Sequence, residues 1–279
     1  MSYSIKSPGK KCFILTIVMI LANLFQLFQH LRMKKLILLL LVVSCAQTKR
    51  ITPKNLVFIQ GVYLDGSVWQ SVKSKMDGQA FKMMDLGRMG RDTQKPASLT
   101  QIATESCQAI PAASTLVAHS FGGAISNQMA GICPEKISKI IYVTALVPLK
   151  GERPFDLMTK TDKTNISKVV TLGKFKSIPK GATYYAFSDP MINSTTELPP
   201  RYPEWLSLGP EEIIYDEAKF NAIPKAFIYA EKDPILSLTT QFQYTSRAGI
   251  QNSDGIPTGH YPMLSSPERL TVLISKWAN

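Results

Sequence analysis

Short apolar runs recur along the chain, each followed by a turn and then by a stretch of helical composition. Asn55-Leu56-Val57-Phe58-Ile59, Ser114-Thr115-Leu116-Val117-Ala118 and Lys225-Ala226-Phe227-Ile228-Tyr229-Ala230 all read as strands. The second, short, apolar and partly β-branched, has the character of a strand buried on both faces of a parallel sheet. Phe121 to Ile132 reads as a helix, because Ala124, Met129 and Ala130 are good helix formers and Pro134 closes the segment. Another helix is expected over Ala97 to Ile110, and a final one after the Gly- and Pro-rich loop that runs from Pro257 to Leu264. Between Pro148 and about Pro224 the alternation lapses into short polar and Pro-rich pieces. The 225 residues from Asn55 onward suffice for one α/β domain with its own core.

The buried strand stops at a serine set among small residues, Ala118-His119-Ser120-Phe121-Gly122-Gly123. Strand, tight turn and helix form the setting in which a serine hydroxyl is presented as a nucleophile. The strained apex requires small residues two before and two after it. Ala118 and Gly122 meet that requirement, with Ala118 one methyl larger than the usual glycine.

A serine at its free pKa needs a base, and the base needs an orienting group. The chain has three histidines, His30, His119 and His260. His30 lies in an N-terminal apolar segment, and His119, adjacent to Ser120 on a sharp turn, is expected to point away from the hydroxyl. His260 remains as the candidate base. In hydrolases of this kind the acid lies between serine and histidine in chain order. Asp233, in the turn Glu231-Lys232-Asp233-Pro234 after the 225–230 strand, is the first choice and Glu231 the second. A tetrahedral intermediate also needs two N–H donors, one from the residue after the nucleophile and one from the loop after an early strand. Phe121 and Val62 are the candidates.

From about Asn55 to Asn279 the chain resembles the α/β-hydrolase superfamily, and within it the compact branch of plant methylesterases, hydroxynitrile lyases and similar bacterial esterases. Leu56-Val57-Phe58-Ile59-Gln60-Gly61 resembles that branch's opening strand and His-Gly loop, with Gln60 in place of the histidine. Asp85-Leu86-Gly87-Arg88-Met89-Gly90-Arg91-Asp92 is similar to its Asp-Leu-Pro-Gly-x-Gly-x-Asp segment. Ile140 to Pro148 resembles the strand leading into the cap, and Gly259-His260 with Met263-Leu264 resembles the histidine loop. The resemblance implies an α/β fold with a mostly parallel sheet of about six strands flanked by helices. It also implies a small cap at about 149–224, inserted before the loop of the acid-bearing strand. Ser120, His260 and Asp233 would be nucleophile, base and acid. Cyanohydrin-cleaving members are expected to carry a lysine after the histidine and a threonine in the oxyanion loop; Tyr261 and Val62 stand there instead. Acyl transfer to water remains, with a small or medium ester as the expected substrate. Thioesterase, lactonase and amidase activities stay open, as does a non-catalytic ligand-binding protein on the same fold. Tyr184, Tyr185, Phe187, Tyr202 and Trp205 are candidate pocket lining from the cap.

Charge changes the picture only at one end. Of 32 Lys and Arg, nine lie in residues 1–55, where no Asp or Glu occurs, so most of the net +12 is concentrated there. Without a nucleic-acid motif beside it, that bias reads as a targeting signature, and no nucleic-acid partner is expected. Cys12 to Phe28 is an uncharged run of seventeen residues, at the short limit for a spanning helix. Met33-Lys34-Lys35 begins a second run that ends Leu41-Val42-Val43-Ser44-Cys45 and looks like a bacterial lipoprotein signal. On that reading residues 33–44 are the signal, Cys45 is lipidated, 45–54 is a tether, and 1–32 is an upstream extension with Met33 the true start. The alternatives are a membrane helix at 12–28 and an incidental Cys45. Either membrane reading places the catalytic domain at the cell envelope, on the periplasmic or extracellular side. Cys107 and Cys133 fall on helices expected to flank one side of the sheet, which leaves a disulfide and two buried thiols both open. No Cys/His metal pattern occurs, so no cofactor or metal is implied.

Overall fold

A single sheet of six parallel strands carries the molecule's two apolar layers. The computed structural model describes residues 54–76, 81–86, 97–167, 170–172, 176–179, 182–205 and 208–279. The segments 1–53 and 87–96, with the apolar runs, Cys45 and most of the Asp85–Asp92 motif, lie outside the described residues. The strands are β1 (Lys54–Ile59), β2 (Phe81–Asp85), β3 (Ser114–Ser120), β4 (Ile137–Ala145), β8 (Lys225–Ala230) and β9 (Asn252–Ile256), in spatial order β2-β1-β3-β4-β8-β9. Every pairing among them is parallel, where the sequence led us to expect a mostly parallel sheet.

Burial on both faces explains why these runs are continuously apolar. Val57 and Ile59 of β1, Leu116 and Ala118 of β3, and Ile140 and Tyr142 of β4 point to one core. The residues between them, Leu56, Phe58, Val117, Ile141 and Val143, point to the other. On the first face lie α2 (Leu99–Ala109), α3 (Gly122–Ile132), α6 (Glu217–Ala222) and α7 (Leu238–Arg247). On the second lie α1 (Gln70–Met76) and the C-terminal α9 (Pro267–Ala278), which pack against each other. Ser98 caps α2 by accepting from the Gln101 N–H at 2.9 Å. The two helices on the first face bring Cys107 and Cys133 together as a disulfide, with the Cα atoms 6.0 Å apart.

Between β4 and β8 the chain builds α4 (Lys160–Ser167), an antiparallel sheet of β5 (Val170–Leu172), β6 (Lys176–Pro179) and β7 (Glu204–Trp205), and α5 (Thr183–Ser188). This insertion occupies the stretch expected to form a cap, and is called the cap below. The stretch read as cap runs on to about residue 224, but its last helix, α6, belongs to the core: Phe220 is buried, stacks on Tyr215 and packs in the first layer.

Strand order reverses direction between β1 and β3, so the loops after these two strands diverge and leave a crevice at their C-terminal ends. Ligand sites of open parallel sheets form at such a point.

Candidate active site

Ser120 ends β3 at φ +54°, a left-handed conformation rare for a residue with a Cβ. The turn is tight enough to dictate its neighbours. A Cβ on Gly122 would fall 2.6 Å from the Ile59 carbonyl oxygen, and one on Gly123 would overlap the Leu146 carbonyl oxygen, so only glycine fits at either place. At Ala118 the extra methyl lies buried in the first core layer, which accommodates it.

His260 reaches the serine from the loop between β9 and α8 (Pro262–Ser265). Its Nε2 lies 2.9 Å from Ser120 Oγ, and its Nδ1 lies 2.6 Å from Asp233 Oδ2. A carboxylate can only accept, so the imidazole proton sits on Nδ1 and Nε2 is left to accept the serine hydroxyl. All three residues are buried or nearly so: Ser120 is 9% exposed, Asp233 5% and His260 2%. Glu231, the other acid considered, is exposed, and its carboxylate lies over Gly255 of β9.

Asp233 is held by a full set of donors. Its Oδ1 accepts from the Ile235 N–H at 2.7 Å and the Leu236 N–H at 3.0 Å, and its Oδ2 also accepts from the Thr144 hydroxyl. Thr144, near the end of β4, has φ +37°. The acid's loop is fastened in turn to the cap. Asn165 of α4 donates to the Pro234 carbonyl at 2.8 Å, and buried Asp162 accepts from the Ser237 N–H at 3.1 Å and the Thr240 hydroxyl at 2.8 Å. Thr144 escaped sequence reasoning. A polar residue after the apolar run Ile140 to Val143 of β4 was the one signal available.

The first strand's loop closes on the serine from the other side. A Cβ on Gly61 would come within 2.8 Å of Ser120 Cβ and 3.3 Å of its Oγ, so the main chain at Gly61 lies close against the serine side chain. Among the described residues, neither the Val62 nor the Phe121 N–H donates to another group of the protein. Phe121 also precedes the first turn of α3, whose dipole favours negative charge at that end.

His119 points away from the serine, as its place on the turn requires. It is buried, with Nε2 2.7 Å from the His260 carbonyl oxygen, and Nδ1 has no hydrogen-bond partner among the described residues. Burial and then the neighbouring His260 hold its pKa well below the ordinary value, so it stays neutral. Tyr261 packs between Tyr184 and Tyr185, ring centroids 5.7 and 4.9 Å away. Burial pushes the phenols of Tyr184 and Tyr261 upward in pKa. Tyr184 and Tyr185 are therefore core beneath the histidine loop; at 2% and 0% exposure they do not line an open pocket. Phe187 and Tyr202 are partly exposed. The side chain of Trp205 lies outside what is described. No group of three or more metal-ligating side chains occurs among the described residues.

A doubly covered parallel sheet, a serine at a strained strand-to-helix turn and a histidine loop closing on it define an α/β-fold hydrolase. Residues 56–272 match the model of the Alpha/beta hydrolase family, and the chain belongs to that family. Over 255 residues it is 25% identical to Methylesterase 2 of Arabidopsis thaliana, covering 78% of this chain and 93% of that protein. Two solved structures share the fold. One is a pyrethroid hydrolase from Sphingobium faniae JZ-2, 18% identical, with TM-score 0.70 and coverage of 81% of this chain and 97% of that one. The other is tomato Methylketone Synthase I, 18% identical, with TM-score 0.67 and coverage of 81% and 97%.

Proposed function

We propose that this protein is a carboxylesterase that hydrolyses small or medium esters through an acyl-enzyme on Ser120. The observation that supports this most is one imidazole in contact with two partners, Ser120 Oγ at 2.9 Å and Asp233 Oδ2 at 2.6 Å. As Ser120 Oγ attacks the ester carbonyl, His260 Nε2 takes its proton and Asp233 stabilises the imidazolium that forms. The Val62 and Phe121 N–H groups receive the oxyanion. His260 then returns the proton to the leaving alcohol. In the second half a water, deprotonated by His260, attacks the acyl carbonyl and Ser120 leaves as the free hydroxyl. An ester substrate agrees with the relative named a methylesterase, and hydrolysis with the structural neighbour named a pyrethroid hydrolase.

Labelling with a serine-directed fluorophosphonate, beside hydrolysis of short-chain p-nitrophenyl esters, tests the reading. Wild type is expected to label and to turn over, and Ser120→Ala to do neither. A wild-type protein that does neither is a binder, and the esterase reading then fails. Panels of thioesters and lactones run with the same pair of proteins settle the leaving group. We also propose that lipidation at Cys45 tethers the enzyme at the outer face of a membrane. The mass of the mature N-terminus tests that, and an unprocessed, unlipidated chain would refute it.

A further inference from the structure

The cap reaches back to the loop after β1 at Tyr63. Tyr63 follows Val62 and has φ +68°, a conformation that a residue with a Cβ keeps only where its surroundings hold it. Both of its main-chain polar groups are held from the cap. Its N–H donates to Glu204 Oε2 at 3.3 Å, and its carbonyl accepts from the Tyr202 N–H at 2.9 Å. Glu204 stands in β7 and is 2% exposed, while Tyr63 is 3% exposed. A carboxylate is costly to bury, and one that accepts from a main-chain N–H makes a charge-assisted bond stronger than a neutral pair. The Tyr63 ring stands edge-on to Tyr184, 5.9 Å between centroids, and Tyr184 packs on Tyr261 beside His260. The strained residue is thus gripped by main chain and side chain together, one position beyond Val62.

We propose that Glu204 is a positioning residue for the oxyanion hole: by clasping Tyr63 it sets the direction of the Val62 N–H, so that the hole is complete only while the cap strand is seated. The inference rests on the reading of Val62 as an oxyanion donor. Its physical basis is that a donor serves the transition state only at the place where charge develops, and a displacement of about 1 Å is enough to lose much of its effect. The cap would then couple its own closure to the chemistry rather than only covering the substrate.

Steady-state kinetics on p-nitrophenyl acetate, with active enzyme counted by fluorophosphonate titration, separate this from a merely structural role. Glu204→Met keeps the bulk and removes the acceptor. It is expected to lower kcat about tenfold with KM changed less than about twofold, short of the roughly hundredfold that losing an oxyanion donor outright costs. Glu204→Gln restores a carbonyl acceptor and is expected to return to within about threefold of wild type. Tyr202→Pro lies between Pro200 and Pro203, removes the other bond, and covers the case in which Glu204→Met does not fold. Its kcat is expected to fall about threefold. An unchanged kcat in whichever of Glu204→Met and Tyr202→Pro folds, or a rise in KM alone, overturns the clasp while leaving the esterase reading standing. A wild-type enzyme that neither labels nor turns over overturns the esterase reading instead.

Discussion

The Nε2–H of His119 donates to the main-chain carbonyl of His260 at 2.7 Å, tying the residue before Ser120 to the loop that brings the imidazole to it. The bond requires a proton on Nε2, and burial keeps the ring otherwise neutral by lowering its pKa well below the ordinary 6.5. The unfolded chain takes up a proton at this residue near pH 6.5 and the folded chain does not. The unfolded state therefore binds more protons in acid, and stability falls as pH drops through that value. Between about pH 6.5 and 5.5 this residue's share of the loss is about 1 kcal/mol. His119→Phe removes that share and, at about pH 8, costs about 1–3 kcal/mol through the carbonyl left without its donor. Urea unfolding at the two pH values should show the gap between wild type and variant narrowing in acid. A constant gap would contradict the assignment.

Among the described residues, Thr144 contributes the one side-chain donor to Asp233 besides His260. Thr144→Val keeps the shape and removes the hydroxyl, leaving Asp233 one donor fewer to orient it against the imidazole. We expect kcat to fall roughly tenfold with KM little changed, the size of one hydrogen bond to a charged group. Thr144→Ser should recover most of the loss. Equal kinetics for valine and threonine would remove the residue from the site.

Two glycines near the serine are expected to fail differently. Gly122→Ala brings its methyl within 2.6 Å of the Ile59 carbonyl oxygen, a main-chain atom that cannot swing aside, and should cost about 2 kcal/mol or more of stability in a thermal melt. Gly61→Ala meets Ser120 Cβ at 2.8 Å, and the stress falls on the loop and the reacting side chain. It should depress kcat at least about tenfold while the melting temperature shifts by only a few degrees, roughly what 1 kcal/mol produces in a domain of this size.

The Cys107–Cys133 bridge closes a loop of 26 residues on the core face away from α9. The chain-entropy model puts its contribution at about 3.5 kcal/mol. Cys107→Ser with Cys133→Ser should lower the denaturation midpoint accordingly, and should leave kcat within about twofold at room temperature, since neither cysteine contacts the site. A reductant that lowers the wild-type midpoint but not the double variant's identifies the bridge as the cause. Equal midpoints for wild type and variant would show that the bridge adds nothing.

Legible in the chain alone were the alternation of buried strands and helices, the serine at the end of β3, and the chain order in which an acid and a histidine follow it. Each depends on local chemistry: continuous hydrophobicity for a strand covered on both faces, small residues where the backbone turns sharply, a scarcity of histidines that left one in a suitable loop. The end of the cap was not legible in the same way. α6 has the composition of a short polar helix, and only Phe220 and its stack with Tyr215 seat it in the core.

What folding alone decided are relations between residues distant in the chain. Asp233 and Glu231 are two residues apart and chemically alike, and the turn after β8 selects between them by pointing one at His260 and the other over Gly255. Cys107 and Cys133 pair because α2 and α3 lie side by side on one face. Glu204 looks like any surface glutamate until β7 carries it, buried, against the amide of Tyr63. A linear pattern reports what each segment needs from water and from its own backbone. Which side chain meets which across the sheet and the cap depends on the three-dimensional closure of loops that no local preference encodes.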